Sequence, residues 1–141
     1  MAHPVSVRFS RPGVAERLKA EAAARRESSS SLAEELIDEG LRIRRHPLVG
    51  FRDGATGRRA GLVGGPDVWE VVAGMVGGDI PADGRIERSV ELYGLRPQQV
   101  GAALAYYAEF TDEVDAEIAA NAGAAEEAER LWQRRRDLLA G

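Results

Sequence analysis

The sequence predicts a mainly α-helical chain: one short strand and two helices completed by a second copy, then a small helical domain with a short hairpin, then a helical arm. Three observations predict it. Residues 5–10 alternate apolar and polar, the period of a half-buried strand. Apolar residues then recur at spacings of three and four through most of the remaining chain. A cluster of six glycines between Gly50 and Gly65 breaks that helical pattern once.

The totals bound what such a chain can do. Its 141 residues carry 44% hydrophobic side chains, normal for a folded protein, but only 6% aromatics. A core this poor in aromatics is the kind that dimerisation completes. Without cysteine there are no disulfides, thiolate nucleophiles or cysteine-ligated zinc. No signal peptide and no long uncharged apolar run is visible, so a soluble cytoplasmic protein with no membrane partner is expected. The net charge of −4 is unevenly placed. Residues 1–50 hold nine basic against seven acidic side chains and the remainder ten against sixteen, so +2 is joined to −6. A basic module fused to an acidic one implies two different partners.

The first module is read as residues 1–47. Val5, Val7 and Phe9 point to one face of the strand; Ser6, Arg8 and Ser10 point to the other. Pro12 suits the first turn of a helix, whose apolar side is Val14, Leu18 and Ala22. The polar run from Arg25 to Ser30 stops it. A second helix starts within the serines, where Ser31 and Glu34 have the spacing of a capping box. Leu32, Leu36, Ile37 and Leu41 form its stripe; Arg42, Arg44 and Arg45 suit its C-terminus, and His46-Pro47 ends it. A lone strand leaves its ladder groups unpaired, so this module is expected to pair its strand with that of a second copy. The two-stranded ribbon would present Ser6, Arg8 and Ser10 from each chain, a shape and chemistry that fit the DNA major groove.

In its order, its lengths and the stretch Leu36-Ile37-Asp38-Glu39-Gly40-Leu41, this third of the chain resembles the ribbon-helix-helix superfamily of MetJ, Arc and CopG-like proteins. The resemblance implies a homodimer that reads double-stranded DNA with Ser6, Arg8 and Ser10. It also implies that the backbone at Ser29, Ser30 and Ser31 clamps a phosphate. Many relatives carry more cations on the strand, which implies modest affinity or cooperative binding here.

Residues 48–110 are read as a second domain. Asp53-Gly54 between short apolar pieces marks a hairpin turn; a phosphate-binding loop would need Lys-Ser or Lys-Thr next, and neither is present. Gly65-Pro66-Asp67 opens a helix buried through Val68, Val71, Val72, Met75 and Val76 and ended by Gly77-Gly78. A short helix bearing Ile86, Val90 and Tyr93 follows. Gly94-Leu95 makes a tight turn, and Pro97 starts a helix carrying Val100, Leu104 and Tyr107, together a helix-turn-helix-like outline. Gln98, Gln99 and Arg96 could meet bases, but the small Gly101, Ala102 and Ala105 favour helix packing, so a dimerisation or partner surface is expected over a second DNA site. Trp69 is read as core or interface.

The stretches Pro66-Asp67-Val68-Trp69-Glu70-Val71-Val72 and Leu92-Tyr93-Gly94-Leu95-Arg96-Pro97-Gln98-Gln99-Val100, with Ala102 to Tyr107, resemble the domain-of-unknown-function family four-three-three. That family occurs in VapB-type antitoxins and beside genes for PIN-like nucleases.

Residues 111–141 form the arm. Thr111-Asp112 caps a new helix or the previous helix continues. From Glu109 to Glu129 there are eight acids and no basic residue, so this part avoids DNA. Near the end Ala128, Leu131, Trp132, Leu138 and Leu139 share a helical face that includes Arg135. Leu131, Trp132, Arg135, Leu138 and Leu139 are either a partner-docking face or a dimer-packing one. From the resemblances, the expected function is the antitoxin of a type II toxin-antitoxin system, neutralising a PIN-like ribonuclease toxin and repressing its own operon. The alternative is a stand-alone transcriptional regulator or nucleoid-associated protein that oligomerises on DNA. No enzyme, cofactor or metal site is expected, since His3 and His46 share no ligand spacing with each other or with a carboxylate.

Overall fold

The computed structural model describes residues 3–75, 84, 87–88, 90–91 and 94–141. Five helices and one two-stranded antiparallel hairpin are defined among them, so the chain is mainly α-helical. It divides into two compact units, Met1–Arg42 and Ile43–Gly141. No helix among the described residues is long and apolar enough to cross a membrane.

In unit 1, residues 3–10 form no regular element and are exposed. Helix α1 spans Val14–Arg25. Pro12 lies outside it rather than in its first turn, because Gly13 takes the N-cap position at φ +82°, a left-handed conformation open to glycine. Arg26 closes α1, also left-handed at φ +58°. Its N–H and that of Glu27 bond back to Ala23 and Ala22 at 3.2 and 3.0 Å, the paired pattern that satisfies the last helical carbonyls. Helix α2 spans Ser29–Arg45 and ends just before His46-Pro47, as its sequence predicts. Its N-terminal cap is Ser28, whose Oγ accepts the Ser31 N–H at 3.0 Å. The box expected from Ser31 to Glu34 is thus displaced by one helical turn, since the earlier serine reaches the free N–H groups first.

Unit 2 opens with the hairpin, β1 (Val49–Gly54) and β2 (Gly57–Leu62). Val49 pairs with Leu62, Arg52 with Arg59 and Gly54 with Gly57, leaving Ala55-Thr56 as the turn. The turn sits just after the predicted Asp53-Gly54, because Gly57 at φ +115° supplies the unusual backbone and Gly54 stays in the ladder. Helix α3 (Val68–Met75) buries Val68, Val71, Val72 and Met75. The expectations for Val76, Gly77-Gly78, Ile86 and Tyr93 lie outside the described residues. Gly94 makes the left-handed turn at φ +62°, and helix α4 (Pro97–Glu109) begins at the proline. Its fully buried residues are Val100, Ala103 and Tyr106; Leu104 and Tyr107 only border the core. Helix α5 (Thr111–Ala140) is new rather than a continuation. Thr111 bonds its hydroxyl to the carbonyl of Tyr107 at 2.7 Å and so closes α4. At 30 residues, α5 is about 45 Å long. Its first turns carry Val114 and Ile118 into the core of unit 2; every residue from 122 to 141 is exposed.

The two units differ sharply in burial. Among the described residues, unit 2 packs twelve buried apolar residues into one cluster from the hairpin, α3, Leu95, α4 and the start of α5. In unit 1 the buried apolar side chains, among the described residues, are Ala22 and Leu32.

Candidate functional site

Unit 1 leaves most of its apolar surface in water. Val5, Val7 and Phe9 are 82%, 58% and 46% exposed, and Leu36, Ile37 and Leu41 on α2 are exposed as well. Phe9, Val14, Leu18, Ala33, Leu36 and Ile37 line an open groove of about 690 Å³, with Arg17 and Glu21 at its margin. Among the described residues of unit 1 the buried side chains are Ala22 on α1 and Leu32 and Glu39 on α2, and two helices with no third layer leave the rest of their apolar surface uncovered.

The polar residues expected to read DNA lie in the same unit. Ser6, Arg8 and Ser10 are exposed, and among the described residues Arg8 meets no carboxylate. By contrast Arg25 pairs with Glu21 at 3.0 Å and Arg42 with Asp38 at 3.2 Å. At the start of α2, Ser29, Ser30 and Ser31 hold the free end of the helix. Two of their N–H groups remain for a ligand, since that of Ser31 is occupied by Ser28 Oγ.

In unit 2 the residues expected to form a partner face lie exposed on α5. Leu131 and Trp132 are about half exposed, and Leu138 and Leu139 are 81% and 82% exposed. Arg135 lies in solvent among them, while Arg136 stacks on the Trp132 ring with its guanidinium carbon 4.8 Å from the centroid. The helix spacing puts Arg136 four residues after Trp132, the signal in the sequence for this contact. The α4 residues are arranged differently: Gln99 Oε1 accepts the Arg96 N–H at 2.8 Å as part of the helix start, leaving Gln98 as the exposed glutamine.

Two clusters were not anticipated. In the first, the buried carboxylate of Asp67 accepts from Arg52 Nε at 2.7 Å and Trp69 Nε1 at 3.1 Å, and forms an ion pair with Arg59. Arg52 Nη2 also donates to the Gly65 carbonyl at 2.8 Å. Arg52 and Arg59 are direct cross-strand partners, a repulsive arrangement that the shared aspartate offsets. A Cβ at Gly54 would overlap the Arg59 guanidinium, and one at Gly61 that of Arg52, so the two glycines make room for the two arginines. This cluster ties the hairpin to the start of α3, and its side chains are engaged with each other. In the second, His46 Nε2 and Glu109 Oε2 lie 2.8 Å apart, with the imidazole edge-on to Tyr106 at 5.3 Å. The pair joins residues 63 apart in sequence, so spacing could not reveal it. Among the described residues no group of His, Asp or Glu has the geometry of a metal site.

Comparison with protein-family models, curated proteins and solved structures finds no match for this chain.

Proposed function

We propose that the chain is a homodimeric ribbon-helix-helix protein that binds operator DNA and regulates transcription. One observation carries this reading: unit 1 buries two apolar side chains of its own while Val5, Val7, Phe9 and the α1–α2 groove stay exposed. A module with so little core is unstable alone, and pairing two copies of residues 5–10 would bury Val7 and Phe9 and satisfy both ladders. The same pairing turns Ser6, Arg8 and Ser10 outward on one ribbon, with Arg8 free to reach a guanine edge. The N–H groups of Ser29 and Ser30 suit a backbone phosphate.

A role as the antitoxin of a PIN-like ribonuclease follows from the resemblances and would use Leu131, Trp132, Arg135, Leu138 and Leu139. The reading as a stand-alone regulator that oligomerises on DNA is favoured by the pattern of size and charge along α5, developed below.

Hydrogen exchange tests the ribbon. In the concentrated full-length protein the amides of residues 5–10 should exchange slowly, because ladder pairing removes them from water. Phe9→Asp should return them to free-chain rates and abolish retention on an operator duplex. Free-chain exchange in the unmodified protein would refute the ribbon.

A further inference from the structure

We infer that α5 is a self-association element, pairing antiparallel with α5 of a second copy. The inference concerns unit 2 alone and does not rest on DNA binding.

The geometry starts in the core. Val114 and Ile118 pack against the body of unit 2, and alternating steps of three and four lead from them along one stripe. Past Asn121 and Ala125 the stripe reaches Ala128, Trp132, Arg135 and Leu139, all exposed. Such an alternation is the seam along which two helices wind together. The stripe therefore begins covered and continues uncovered for about five turns.

Size and charge identify the occupant. Residues 119–125 carry only alanine, glycine and Asn121, whereas the bulky Leu131, Trp132, Leu138 and Leu139 lie beyond them. Along the exposed tail the unpaired acids Glu126 and Glu129 precede the unpaired cations Arg134 and Arg135, with no opposite charge in contact among the described residues. Further acids, Asp112 to Glu117, extend the negative end. A parallel pair would set bulk against bulk and arginine against arginine. Reversing the second copy sets leucines and tryptophan over the small residues and cations beside acids. The complement of this face is thus the face itself, turned end for end. Exposed charge pairs add little affinity each, but like charges in apposition select strongly against the parallel arrangement.

The absence of native cysteine makes the test direct. Ala122→Cys and Ala140→Cys proteins, full length, are co-expressed and treated with a short bis-maleimide. The antiparallel pair predicts a crosslink between the two different variants and none within either one. In that arrangement like positions are separated by about 27 Å of helix. Trp132→Glu should reduce the mixed crosslink to background, and Arg135→Glu should weaken it, both with far-UV helicity retained. Efficient self-crosslinking at Ala140→Cys would show a parallel pair and overturn the inference. So would the absence of any mixed crosslink, which is the outcome expected if α5 docks only on a different protein. Retention of the crosslinking proteins on duplex DNA reads the ribbon separately.

Discussion

Asp67 can be removed and the cost worked from its neighbours. Its side chain is 8% exposed and holds Arg59 at 18% and Arg52 at 42% exposure, besides the Trp69 indole. Taking one partner from a buried ion pair costs about 3–5 kcal/mol, because the other charge remains desolvated. The Arg59 contact falls in that class. Arg52 is open enough to water that its share is below about 1 kcal/mol. Asp67→Ala should therefore destabilise unit 2 by about 3 kcal/mol, placing it at the lower end of the buried-pair range. For a unit of this size that lowers the melting temperature on the order of 15 °C. Calorimetry measures it, and Trp69 fluorescence in a Trp132→Phe background assigns the transition to unit 2. The double variant Asp67→Ala with Arg59→Leu should regain much of the loss, since no buried cation is then left alone. A loss below about 1 kcal/mol for Asp67→Ala, or no recovery in the double variant, would refute the claim that the aspartate offsets the charge of the arginine pair.

Two further outcomes concern the candidate interface and the α4–α5 junction. Arg8→Ala should abolish the preference for operator over scrambled duplex in competition binding while the protein stays folded; about 1–3 kcal/mol per subunit is at stake, and an unchanged preference rejects the assignment. Tyr107 donates to Asp115 at 2.8 Å, and that hydrogen bond, then desolvation, then the aspartate's charge raise its phenol above the ordinary 10.0. The folded state favours the neutral phenol, so this contribution is full below about pH 10 and fades as pH climbs through the raised value. Absorbance titration should show one tyrosine ionising late in the unmodified protein and earlier in Asp115→Asn; superimposable curves would contradict it.

Much of this architecture was legible in the residues, and the misses have physical causes. The hairpin was marked by its glycines, yet its turn fell at Ala55-Thr56 because two arginines needed Gly54 inside the ladder. A signal for that existed. Gly50-Phe51-Arg52-Asp53-Gly54 and Gly57-Arg58-Arg59-Ala60-Gly61 repeat one Gly-x-Arg-x-Gly pattern on either side of the turn. On facing strands this sets each arginine diagonally across from a glycine. The cap at Ser28 was hidden by redundancy, since any of four consecutive serines can supply the oxygen. On α4 the expected Leu104 and Tyr107 pack against the core only partly, because periodicity ranks residues by hydrophobicity and not by fit. The packing selected the smaller Ala103, which lets α4 approach, and Tyr106, whose hydroxyl finds Glu113 at 3.0 Å. His46 and Glu109 meet only through the tertiary fold. The N-terminal segment and the α5 tip were legible as apolar stripes, and their occupants are the part a single chain does not carry.

The unequal packing of the two units also bears on how the protein would be degraded. A protease needs several residues of accessible backbone, and residues 3–13, with Arg8 and Arg11 among them, offer it in any chain whose ribbon is unpaired. The core of unit 2 must open before its interior can be cut. Limited digestion at concentrations where the ribbon dissociates should therefore strip Arg8 from the chain first and leave a long-lived fragment holding the hairpin and α3 to α5. Turnover of such a molecule need not be all or none. A cell could lose the N-terminal segment by nicking while the C-terminal helix persists, so that the two ends have separate lifetimes.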